Sequence, residues 1–241
     1  MQPLIIAAIA FVGTHFLLSH PLRAPLVRGL GERGFSALYS LVALATFAWL
    51  VVQYRAAPAR PPLWPVDDVL WAIVTVVMLV ASILFMGSLI KNPALPNRNL
   101  ATHSLASPGA AAKAPPEVPS QAKGVFAVTR HPMMWAFALW GFCHIAVMPT
   151  LANIILCAAI IILALCGASL QDRKKRQLQP QTWAAWETKT SYWPFAAIVQ
   201  GRARFGGFRP HDWAGGVVIW LAATWAHIPA AHIAAGIWRW L

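Results

Sequence analysis

Carboxylates are what this chain has least of: Asp and Glu number 7 in 241 residues, and charged residues of both signs make up 11%. The apolar runs hold no Asp or Glu beyond the edge pair Asp67 and Asp68. A hard-cation site or a carboxylate-bridged di-metal site therefore has no ligands within them. Cysteine is scarce too. Cys143, Cys157 and Cys166 all fall inside apolar runs and their number is odd, a pattern of small buried hydrophobes, not of disulfide staples. No CxxC or CxxCH occurs, which argues against a zinc ribbon and against covalent haem attachment of the c type. Cations are missing ahead of the first apolar run. MQPLIIAAIAF has neither Lys nor Arg, and His15 follows inside the run, so a retained helix is expected and not a cleaved signal peptide.

What is abundant is apolar. Hydrophobic residues make up 59% of the chain, with 13 Trp and 19 Pro, and the mean hydropathy is +0.58. A single soluble core cannot hide that much apolar surface, whereas Trp collects at membrane interfaces and Pro is tolerated in membrane bundles. The expected fold is all-α, a polytopic transmembrane bundle of about six spans: Pro3 to Ser19, Phe35 to Tyr54, Val69 to Ile90, Pro132 to Met148, Leu151 to Leu170 and Trp213 to Ile237. Most reach or approach the roughly 20 residues that cross a bilayer. Pro229 and two His make the last the softest.

The net charge of +12 and pI near 10.7 would suit a nucleic-acid binder only if the cations shared a soluble face. They gather instead between apolar runs, so no nucleic-acid partner is expected. Arg23, Arg28 and Arg33, then Lys91, Arg98, Lys113, Lys123 and Arg130, then Arg173 to Arg176, Lys189, Arg202, Arg204 and Arg209 occupy alternate connections. Only Arg55, Arg60 and Arg239 lie on the other side. The positive-inside rule then predicts both termini outside the cytoplasm of a bacterial inner membrane. A flexible connector is expected over about 91–123 and an interfacial segment over about 171–212, rich in Trp183, Trp186, Tyr192, Trp193 and Phe195. Its DRKKR run reads as a cytoplasmic anchor or as a site for anionic lipid.

Histidine is the informative residue. His15 and His144 sit in spans that are otherwise almost wholly apolar, where an imidazole pairs, ligates or faces a cavity. Two helices of a bundle can each present one neutral imidazole to opposite faces of a porphyrin. His20 and His103 are expected at the interface or in loops, and His227 as a packing residue or a further contact.

THFLLSHPLRAPL in the first span, FAVTRHPMMWAFALWGFCHI at the fourth and TKTSYWPFAAIVQGR before the sixth together resemble the NnrU family, whose relatives include zeta-carotene isomerase. The likeness runs in order along nearly the whole chain and implies a single membrane domain over 1–241. The resemblance implies b-type haem held by His15 and His144. It also implies a link to denitrification and nitric oxide metabolism or, in the isomerase, cis-trans isomerisation of a polyene when the iron is reduced. Where the isomerase has a Cys three residues before the second ligand this chain has Gly141, and where it has a further His this chain has Tyr54 and Arg55.

Arg130 and His131 carry two readings, a helix start at the cytoplasmic interface or an anion contact such as a pair with haem propionates. Arg23 and Arg28 are further propionate candidates. The RHP step also resembles membrane methyltransferases of the isoprenylcysteine type, although their later paired Glu is not matched. Expected partners are membrane lipid and either an apolar polyene or nitrogen-oxide reductase machinery, with the electron donor open. Depth poses a question. His15 lies about four residues from the inner end of its span and His144 about twelve residues, roughly 18 Å of rise, from the inner end of its own. A fourth helix beginning near Val125, a tilted haem, or a different pairing would each resolve it.

Overall fold

The structure is a computed structural model that describes residues 1–90, 92–93 and 121–241. Most of the expected connector, with Lys91, Arg98, His103 and Lys113, lies outside the described residues. Among those described, the regular structure is helical: α1 Gln2–Ser19, α2 Arg23–Ala56, α3 Asp68–Gly87, α4 Val125–Val128, α5 Pro132–Val147, α6 Leu151–Leu178, α7 Pro180–Glu187, α8 Ala196–Val199, α9 Pro210–Ala231 and a closing 3-10 turn Gly236–Arg239. Helices α1, α2, α3, α6 and α9 are long and apolar enough to cross a membrane.

Four boundaries differ from expectation. The span expected over Pro132 to Met148 is a helix of 16 residues, roughly 24 Å long and short of a 30 Å hydrocarbon core. Pro149 restricts Met148 to extended backbone and stops it. Helix α6 does not end at Leu170 but runs to Leu178, because Gln, Arg and Lys are good helix formers and cations suit a helix C-terminus. Helix α9 passes through Pro229 and ends at His232, which takes a left-handed conformation. The chain then turns back, and Trp238 Nε1 donates to Thr224 Oγ1 at 3.2 Å. Gly236 is required there, since a Cβ would come within 2.7 Å of Thr224. Helix α2 also starts earlier than the expected span and breaks at Gly31, whose φ is 71°. Arg23 and Glu32 pair across the break at 2.9 Å.

The described residues form two compact units, Met1–Met78 with Phe137–Gly167, and Leu79–Ala136 with Ala168–Leu241. In the first, Leu4, Ala7, Ala8 and Phe11 of α1, Leu50 of α2 and Ala159 of α6 make a buried apolar cluster. The paired alanines let helix backbones approach closely, as membrane packing requires. Opposite faces are left bare: Ile9 is 67% exposed and Leu44 67%, which matches a lipid surround rather than water. Asp67 of the edge pair caps α3 by accepting from the Leu70 amide at 2.8 Å.

In the second unit, Asp212 is fully buried and binds the Arg209 amide and guanidinium at 2.9 Å each. Arg209 also donates to the Gly87 carbonyl at 2.9 Å. A Cβ on Gly87 or Gly124 would fall within 2.6 Å of this carboxylate, so both glycines are there for close approach.

Candidate functional site

The imidazoles picked out by sequence lie in the first unit. His15 sits on α1 one turn after Phe11, whose carbonyl receives its Nδ1–H at 2.6 Å. Its ring meets the rings of Phe11 at 4.6 Å and Tyr39 at 5.6 Å. His144 on α5 repeats the arrangement: Nδ1–H donates to the Trp140 carbonyl at 2.8 Å, and the ring stacks on Trp140 at 4.1 Å. A carbonyl can only accept, so in both residues Nδ1 carries a proton, and in the neutral imidazole Nε2 then holds the lone pair. That is the tautomer in which a histidine ligates a metal. His227 on α9 shows the same bond to the Ala223 carbonyl at 2.7 Å. His20 just after α1 has both ring nitrogens buried and unbonded.

The end of α5 is held by Asn153 of α6, 4% exposed, whose amide donates to the carbonyls of His144 and Met148 at 2.8 Å each. These carbonyls would otherwise be orphans of a helix C-terminus. Fixing the His144 backbone fixes the depth of its ring. Helix α5 begins at Pro132, separated from α4 by extended Thr129, so a fourth helix starting near Val125 is not how the depth question is resolved. Gly141 is packed against Ile161 so closely that a Cβ would lie 2.6 Å from its Cγ1. The Cys of the isomerase pattern has no room there.

Arg130 and His131 lie in the second unit, with a partner that sequence reasoning missed. Asp172, 4% exposed, faces both: Arg130 Nε donates to its two oxygens at 2.9 and 3.1 Å, and Arg130 Nη2 pairs with it at 2.8 Å. His131 Nε2 lies 2.7 Å from Oδ1. Glu187 meets Arg130 at 3.3 Å and Arg176 at 2.8 Å. The scarcity of acid was the signal, since a lone Asp heading a run of four cations asks for an explanation beyond anchoring.

The backbone of this site joins two blocks far apart in sequence. Thr129 Oγ1 donates to the Tyr192 carbonyl at 2.7 Å, the Arg130 amide to the Ser191 carbonyl at 2.8 Å, and the Phe195 amide to the Val128 carbonyl at 2.7 Å. Trp135 Nε1 adds a bond to the Tyr192 carbonyl at 2.9 Å. Thr190, fully buried, donates to the Trp186 carbonyl at 2.6 Å, and Ser191 Oγ accepts the Ala197 amide at 2.9 Å. Gly201 supplies a φ of 71°, and Arg202 Nη1 gathers the carbonyls of Glu187, Thr188 and Thr190 at 2.8 to 3.1 Å. TRHP and TSYWPFAAIVQGR are thus two halves of one structure.

The NnrU protein family model matches residues 3–235. The chain belongs to the NnrU family. No curated protein and no solved structure matches it. In this chain TRHP and TSYWPF lock together around a buried Arg–Asp pair, while His15 and His144 sit on the apolar helices α1 and α5. Among the described residues no group of three or more His, Cys, Asp or Glu is placed to hold a metal ion, so a site in this protein would draw on fewer protein ligands.

Proposed function

We propose that this NnrU protein is an integral membrane b-haem protein with His15 and His144 as the axial ligands. The observation that carries the reading is the shared tautomer: each ring spends its Nδ1–H on the carbonyl one turn back in its own helix, which orients the imidazole and turns Nε2 to a metal. Asn153 steadies one ligand helix, and the aromatic rings beside the two histidines, Phe11, Tyr39 and Trp140, suit a porphyrin better than a hydrated ion. A bound b haem supplies a one-electron iron centre whose potential is set by its axial ligands and surroundings. The residues of the chain hold and orient it and keep water away. Arg130 is engaged by Asp172 and Glu187 and His131 by Asp172, and the proposal rests on the two imidazoles alone.

Within the same reading, the family resemblance implies work in nitric oxide metabolism, and reduced-haem isomerisation of zeta-carotene or another polyene is its enzymatic form. Ile161 over Gly141 argues for a pair of histidines without a Cys alternative. The protein is assigned to the bacterial inner membrane with both termini outside the cytoplasm, on the strength of its cation distribution.

The experiment is an absorption spectrum of the detergent-purified protein, oxidised and then dithionite-reduced, with His144→Ala beside it. A Soret band with sharp α and β bands that shift or vanish in the variant is expected. An unchanged variant spectrum sinks the ligand assignment, and no Soret band even after added haem moves the methyltransferase reading ahead.

A further inference from the structure

The second unit carries an open pocket of about 490 Å³ that none of the above uses, lined by Arg130, Ser169, Arg173, Arg176, Tyr192 and Trp193 along with Asp172. Its walls are cationic, and the carboxylates among the described residues do not exhaust them. Arg130 commits Nε and Nη2 to Asp172 and Glu187, while its Nη1 makes no hydrogen bond among the described residues. Arg176 likewise spends Nε and Nη2 on Glu187 and keeps Nη1. Arg173 is exposed and forms no hydrogen bond or ion pair with any described residue. A neighbouring pocket of about 350 Å³ shares Arg130, Arg176, Tyr192 and Trp193 and adds Arg202, whose charge is met by carbonyls and the Gln200 amide and by no carboxylate among the described residues. Asp172 and Glu187 thus face a larger positive charge, and guanidinium N–H groups point to an oxyanion as the missing partner.

The place of the pocket says where that oxyanion comes from. Ser169 and Arg173 stand where the apolar run of α6 gives way to cations. Beside them the segment after α7 exposes apolar side chains: Trp193 at 63%, Phe195 at 51% and Val199 at 85%. An exposed Trp next to Arg at the end of a membrane helix is the setting of lipid headgroups. We propose that this pocket binds the phosphate of an anionic phospholipid, with Arg173 as its uncommitted cation and Arg130 Nη1 as its fixed floor. The assignment stands independently of haem.

The test is native mass spectrometry of the full-length protein released from micelles containing phosphatidylglycerol or phosphatidylcholine, for wild type, Arg173→Gln and Arg204→Gln. Arg173 has no partner to strand among the described residues, so the variant is expected to fold; Arg204→Gln removes the same charge from an exposed position that lines neither pocket. Preferential retention of phosphatidylglycerol is expected, falling about fivefold in R173Q, the loss of one charge-assisted contact, and unchanged in R204Q. Equal losses in both variants, or equal retention of the two lipids, would overturn the proposal. Excess inorganic phosphate that displaces the lipid completely would also overturn it, by making the pocket a site for free phosphate.

Discussion

Arg130, His131 and Asp172 show how one carboxylate organises a chain that has so few. A guanidinium whose side chain is 8% exposed is tolerable only because a carboxylate meets it, and removing that carboxylate leaves the cation stranded. Asp172→Asn is expected to destabilise the detergent-solubilised protein by about 3 kcal/mol or more, read as a fall in its unfolding midpoint. Arg176→Gln breaks a pair whose cation is 53% exposed, and screening limits that loss to under about 1 kcal/mol. Equal effects of the two would show that Asp172 is not the centre of the cluster. Asp172 was hidden in the sequence because an acidic residue within DRKKR reads as one more member of a solvated charge run. Its burial follows only once Thr129 and Arg130 are tied to Ser191 and Tyr192.

The helices themselves were largely legible. Long apolar runs give α1, α3, α5, α6 and α9, with Pro in the first turn of α1, α5 and α9, because span length and hydropathy are properties of local sequence. Their ends were less so. The turn after Ala231 depends on Trp238 reaching Thr224, a contact that no local pattern encodes, and α6 carries helix-forming residues past the end of its apolar run, where hydropathy stops marking the span. The short α5 carries the proposed ligand His144, and its packing against α6 is tight at Gly141. Gly141→Cys, which installs the isomerase residue, is expected to cost about 1–3 kcal/mol by overpacking against Ile161. The double variant with Ile161→Ala should lose less than the sum of the single losses, since the two sites share one space. Strict additivity in unfolding midpoints would mean that the contact is not tight.

Across the whole molecule, the distribution of cations and the exposed apolar helix faces describe a protein that lives in a bilayer. The orientation predicts that a reporter fused after Arg176 reads cytoplasmic and one fused after Arg60 reads exported; the reverse pattern overturns it. His15 and His144 are singled out in the sequence by the cost of an imidazole in an apolar span, and each donates Nδ1–H within its own helix. The measurement closest to the central claim is electron paramagnetic resonance of the oxidised protein, wild type against His15→Ala and His144→Ala. A low-spin ferric signal that gives way to high spin in both variants is the predicted result; a low-spin signal that survives either substitution contradicts the assignment of these two histidines.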